Sequence, residues 1–151
     1  MDRQMSAVNL RCAVGCLAVA LSGWFIGTAQ ADAASPLLAQ AFQQWSAGHL
    51  DQAQRTYEQA IKAEPRSVEA HMKLAGLYIT RRDYTAGTAQ YQRVIGLDPK
   101  NAKAWIGLGI AYLHSGDKGL TRAAWEEALM LDPARKEQLA PLLAKLDSPS
   151  F

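Results

Sequence analysis

From residue 36 onward, apolar residues recur at intervals of three and four, and proline cuts the runs they form at regular places. In 102–114, Trp105, Leu108, Gly109 and Tyr112 stand at i, i+3, i+4 and i+7, which puts them on one face of a helix. Ile106, Ile110 and Leu113 make a second apolar stripe on the same segment. The pattern predicts helices over about 36–47, 50–63, 67–80, 84–97, 102–114, 118–131 and 134–146. Ser35-Pro36 reads as a helix start, with serine as N-cap and proline at the first helical position, and Asn101 as a second cap. Gly48 and Gly116 suit tight turns inside two of the helix pairs, while Arg82 holds the equivalent place in the middle pair. Pro65, Pro99 and Pro133 lie 34 residues apart, and each ends a helix because it lacks an N–H and restrains the residue before it. The chain is therefore read as all-α, three helix pairs in repeats 34–67, 68–101 and 102–135. A last helix caps the open end with Leu139, Leu142, Leu143 and Leu146 on one apolar stripe, and Pro141 either starts its main segment or kinks it. Residues 147–151 read as a disordered tail.

The spacing W-x2-L-G-x2-Y…P is carried in the third repeat by Trp105, Leu108, Gly109, Tyr112 and Pro133, with Thr121 and Trp125 on the second helix. The second repeat reads His71, Leu74, Ala75, Tyr78, Gly87, Tyr91 and Pro99, and loses only the tryptophan to something quite different. The first reads Leu37, Gln40, Ala41, Gln44, Ala53, Tyr57, Ala60 and Pro65, a weak first helix before a strong second one. In spacing and period the chain resembles the tetratricopeptide repeat (TPR) family. The resemblance implies an α-solenoid whose first helices line a concave groove, a surface for another protein. It places Leu38, Phe42, Trp45, Met72, Lys73, Ile79, Lys103, Ile106, Ile110, Leu113 and His114 along that groove. These residues either bind an apolar or amphipathic segment or complete contacts between neighbouring first helices. At roughly 25 cal/mol per Å² of apolar surface, a few such side chains suffice for micromolar binding before ordering costs. Some TPR co-chaperones grip a carboxy-terminal carboxylate with a lysine and asparagine clamp. The matching positions here hold Leu38, Phe42, Lys103 and Gly107, of which only Lys103 fits, so an acidic carboxy-terminal tail is not the expected ligand.

The first 31 residues follow a different pattern. Arg3 and Arg11 precede an apolar run from Cys12 to Gly27, and Ala29 and Ala31 form an A-x-A cleavage site, the layout of a secretory signal peptide. Cleavage after Ala31 delivers residues 32–151, with one repeat domain over 32–146, to the periplasm or beyond. The alternative is an inner-membrane anchor over residues 12–29. Both cysteines, Cys12 and Cys16, belong to this leader, so the exported part needs no disulfide and has no thiol chemistry.

Charge narrows the partners. The chain has 16 lysine and arginine residues against 14 aspartate and glutamate, a net charge of +2, and two of those basic residues and one acidic residue lie in the leader. A nearly neutral, interspersed surface argues against nucleic acid as the main partner, and against membrane lipid unless the leader stays uncleaved. His49, His71 and His114 sit on different elements, without metal-ligand spacing, and no nucleophile or phosphate-loop motif occurs. The sequence thus reads as a non-catalytic adapter or scaffold without cofactor or metal, binding a segment of another cell-envelope protein during assembly, maturation or secretion. The alternative is a structural or self-associating repeat protein with no groove ligand.

Overall fold

The computed structural model describes residues 26–147, with side chains from Ala34 onward. Its helices are α1 (Ile26–Ser46), α2 (Leu50–Ala63), α3 (Val68–Thr80), α4 (Tyr84–Leu97), α5 (Ala102–His114), α6 (Lys118–Leu131) and α7 (Lys136–Leu146), with a 3₁₀ turn over Pro133–Arg135 before the last. The expected helix pairs α1/α2, α3/α4 and α5/α6 form, and each first helix also packs on the second helix of the pair before it. Such nearest-neighbour packing makes a solenoid. Residues 1–25, which hold most of the expected leader, and residues 148–151 of the expected tail lie outside the described residues, and no described helix is long and apolar enough to cross a membrane.

Polar side chains fix the helix starts. Ser67, Asp83, Asn101 and Asp117 each accept a hydrogen bond from the backbone N–H three residues on, at the head of α3, α4, α5 and α6. The segment Arg81-Arg82-Asp83, which reads as a turn of solvated charges, thus includes a cap, and Arg81 also reaches back to pair with Asp51 of α2. Within the pairs the chain reverses through left-handed residues 34 apart, Gly48 (φ 81°), Arg82 (φ 62°) and Gly116 (φ 84°). Between repeats, Glu64, Asp98 and Asp132 leave their helices at φ/ψ of −134/87°, −139/87° and −138/85°. The following proline lies outside the helix in all three cases.

Two boundaries differ from the sequence reading. Ser35 does not start α1: the helix begins at Ile26 and carries Pro36 inside it. The proline removes one N–H from the ladder, yet Ala34 and Ala41 on either side of it are buried, so packing holds the helix across the gap. Pro141 likewise neither starts nor ends α7, which runs through it from Lys136. On α7, Leu139 and Leu146 are buried and Leu143 is half-buried, whereas Leu142 is exposed, so the leucines do not share one buried face.

Three clusters form the core. Ala41, Ala53, Tyr57, Leu74 and Leu77 join α1, α2 and α3; Ala75, Tyr91, Val94, Ala104 and Leu108 join α3, α4 and α5; Trp125, Ala128, Leu139 and Leu146 join α6 to α7. Small residues set the distance between helices. A Cβ on Gly109 would stand 2.3 Å from the Trp125 ring, and one on Gly107 would stand 2.3 Å from the Tyr91 ring, so only glycine admits these aromatics. His71 occupies the tryptophan place of its repeat and keeps its hydrogen bond. Its Nε2–H donates to the Pro65 carbonyl at 3.1 Å, as Trp105 Nε1–H donates to that of Pro99 at 3.2 Å. The smaller ring leaves room for Gln90, whose amide lies 2.7 Å from Nδ1, at the position that Ala124 holds in the next repeat.

Candidate functional site

The stack has two unlike sides. First helices touch one another, α1 with α3 and α3 with α5, whereas α2, α4 and α6 do not meet. Helices drawn together on one side and splayed on the other give a curved stack with α1, α3 and α5 on the inner face. That face is poor in charge: over 34–46, 68–80 and 102–114 its only formal charges are Glu69, Lys73 and Lys103.

The expected groove residues separate into groups. Leu38, Phe42 and Lys73 meet at the α1/α3 end, where with Ser35, Ala39 and Glu69 they line a pocket of about 280 Å³. Phe42 is 52% exposed there, and the Lys73 ammonium lies 5.2 Å from its ring centroid, a cation–π contact that holds the ring against α3. Trp45, one turn on, is half-buried: it meets the Tyr57 ring edge-on at 6.5 Å and lies over Gly76, where a Cβ would stand 3.2 Å from its Cη2. Met72 and Ile79 are half-buried against the second core cluster, and Ile79 Cδ1 would come within 2.9 Å of a Cβ on Gly87. Ile106, Ile110 and Leu113 pack, half-buried, on the third cluster. Lys103 is exposed at the start of α5, and His114 at its end stacks on Tyr84 with ring centroids 4.7 Å apart. The exposed apolar surface of the inner face is therefore concentrated around Phe42.

Sequence reasoning missed Glu69, Ser35 and Ala39 in this pocket. Glu69 precedes Lys73 by one helical turn, so the two share a face of α3, a signal that was readable. Close by in the core, the Tyr57 hydroxyl is buried without a hydrogen-bond partner, and burial, then the charge of Glu69, raises its pKa. The three histidines stay apart. Among the described residues no group of three His, Cys, Asp or Glu side chains could hold a metal ion.

The arrangement of helices matches known proteins. The N-terminal domain of stress-induced protein-1 (STI-1) from C. elegans superposes with a TM-score of 0.73 at 17% identity, over 80% of this chain and 98% of that one. The first TPR of Spaghetti (RPAP3), bound to the HSP90 peptide SRMEEVD, gives 0.70 at 19% identity over 75% and 89%. The second TPR domain of human RPAP3, in complex with the HSP70 peptide SGPTIEEVD, gives 0.70 at 22% over 80% and 97%. At these identities the likeness is one of fold. No curated protein matches the chain. The sequence model of the tetratricopeptide repeat does match, over residues 38–87 and again over 77–135, which together are more than half of the chain. With that match over all three helix pairs, the chain belongs to the tetratricopeptide repeat family.

Proposed function

We propose that this chain is a non-catalytic adapter or scaffold whose inner face binds a segment of another cell-envelope protein, in complex assembly, maturation or secretion. The observation that carries the reading is Phe42: a large aromatic side chain, more than half exposed, at the mouth of a pocket on the inner face, beside the one lysine of α3. A bound segment would seat an apolar side chain against Phe42 and Leu38 and set a polar or acidic group near Lys73. Solved relatives hold peptides ending in EEVD. The residues here favour a different ligand, since Leu38 and Phe42 stand where such a clamp needs polar groups and Gly107 has no room for a side chain beside Tyr91. Export is part of the proposal. Cleavage after Ala31 would leave α1 starting at Asp32, with Pro36 next to its first turn, where a missing N–H costs least.

Phe42→Glu tests this reading. The side chain is exposed, so stability should stay within about 0.5 kcal/mol of wild type, while capture of an envelope partner by affinity pull-down should fall at least about tenfold, the loss of one well-placed anchor. A partner retained equally by wild type and variant refutes the proposal. Ile110, packed on the third cluster, is unsuited to the same test because a charge there would cost stability as well.

A further inference from the structure

Position for position, α7 is the first helix of a fourth repeat. Counting 34 residues on from Trp105, Leu108, Gly109 and Tyr112 gives Leu139, Leu142, Leu143 and Leu146. In the third repeat, the face of α5 that carries Ile106 and Gly109 is closed by the antiparallel helix α6: Trp125 Nε1–H donates to the Ile106 carbonyl at 3.2 Å, and its ring covers Gly109. The α7 equivalents of these two residues are Ala140 and Leu143. Together with Leu129, Pro133 and Lys136 they line an apolar cleft of about 350 Å³. This cleft lies where a second helix packs in each earlier repeat, and among the described residues no helix covers it.

We propose that α7 of a second copy fills this cleft, the two helices running antiparallel about a two-fold axis that passes between Ala140 and Leu143. Lys136, Ala140, Leu143 and Asp147 stand at i, i+4, i+7 and i+11, one stripe along the cleft side. Read in opposite directions the stripe is its own complement. Lys136 faces the partner's Asp147, and Ala140 faces the partner's Leu143, so charge meets opposite charge and small meets large. Self-complementarity of this kind is what an interface about a two-fold axis requires, and one pairing fills both clefts. Helix dipoles add to the match. Lys136 at the start of α7 and Asp147 at its end each have the sign their own helix disfavours, and the antiparallel neighbour offers each the opposite pole. Asp147 already pairs with Arg122 of α6, which fixes its carboxylate at the rim. A helix of 11 residues is only about 16 Å long. Its face buries less than the roughly 1,200 Å² typical of stable complexes, so the pairing is reversible.

Cross-linking of the full chain, with Cys12 and Cys16 replaced by serine, tests the pairing independently of any groove ligand. Ala140→Cys should give a covalent dimer with a short bis-maleimide, whereas Gln59→Cys, exposed on α2, should not. In sedimentation runs over about 1–100 μM, made in an Arg122→Gln background so that residue 147 faces no charge of its own chain there, Lys136→Asp should weaken self-association about tenfold by placing like charges together, and Lys136→Asp with Asp147→Lys should restore it. Equal cross-linking at the two positions, a monomer throughout the series, or a charge swap without effect overturns the proposal. A cross-link from the Ala140→Cys variant to a different protein also overturns it, in favour of a foreign helix.

Discussion

Placing alanine at Gly109 and, separately, at Gly96 adds the same methyl group to two helices, and stability should move in opposite directions. In a helix interior the change from glycine to alanine is worth about 1 kcal/mol of stabilisation, with less expected one residue from the end of α4, where Gly96 lies. Nothing stands within 4 Å of a Cβ built on Gly96, so that variant should gain about 0.5 kcal/mol. At Gly109 the new Cβ would be 2.3 Å from both Cδ1 and Nε1 of Trp125 and 3.1 Å from Cε2, against an optimum near 3.5–4 Å. Trp125 has no room to withdraw: it is 2% exposed and tied by Nε1–H to the Ile106 carbonyl. Overpacking costs about 1–3 kcal/mol, and a lost hydrogen bond adds about 1 kcal/mol. After the helix gain is subtracted, Gly109→Ala should be destabilised by about 2 kcal/mol, or roughly 8 °C at about 4 °C per kcal/mol for a domain of this size. Urea denaturation followed by circular dichroism at the helical band measures both variants against wild type. An unfolding midpoint for Gly109→Ala at or above the wild-type value would refute the claim that this glycine exists to admit Trp125.

Three further variants test other parts of the fold by the same measurement. Arg82→Gly relieves a left-handed residue where the neighbouring repeats have glycine, and should stabilise by about 0.5–1 kcal/mol; an unchanged midpoint would mean that the turn holds no strain. Tyr57→Phe removes a buried hydroxyl without a partner and should be neutral or stabilising by up to about 1 kcal/mol, so a clear loss would point to a hidden hydrogen bond. His71→Trp alone should cost about 1–3 kcal/mol because Gln90 fills the space, and adding Gln90→Ala should recover most of it; additive effects in that double-mutant cycle would contradict the exchange of size between the two positions.

The repeat length, the helix pairs and the turn positions were legible because they depend on spacing alone. Gly48, Arg82 and Gly116, or Glu64, Asp98 and Asp132, mark the same places whatever packs around them. Capping was partly legible: Asn101 stood out, whereas Asp83 was hidden in a turn of charges that read as solvated and Asp117 was not singled out. His71 looked like a loss of the pattern, since a motif records residue types while the fold needs a ring N–H reaching the proline carbonyl. The groove was the least legible part. Whether an apolar side chain on the inner face stays exposed depends on what lies opposite, and Gly76 and Gly87 draw Trp45 and Ile79 into contact while nothing buries Phe42 to that degree. A single helical stripe cannot display that distinction. Helix α1 shows a related limit, because Ser35-Pro36 has the local chemistry of a start and the helix nevertheless runs through it.

The junctions after α2, α4 and α6 bend the backbone through nearly the same angles, within 5° in φ and 2° in ψ. Each module therefore hands the chain to the next in a common orientation, as interchangeable joints do. A duplicate of 99–132 spliced in after Asp132 would meet the same entry geometry on its near side and present the same exit on its far side. The chain could then lengthen by whole units, each adding a fixed increment of curvature and a fresh strip of inner surface, without redesign of any existing contact.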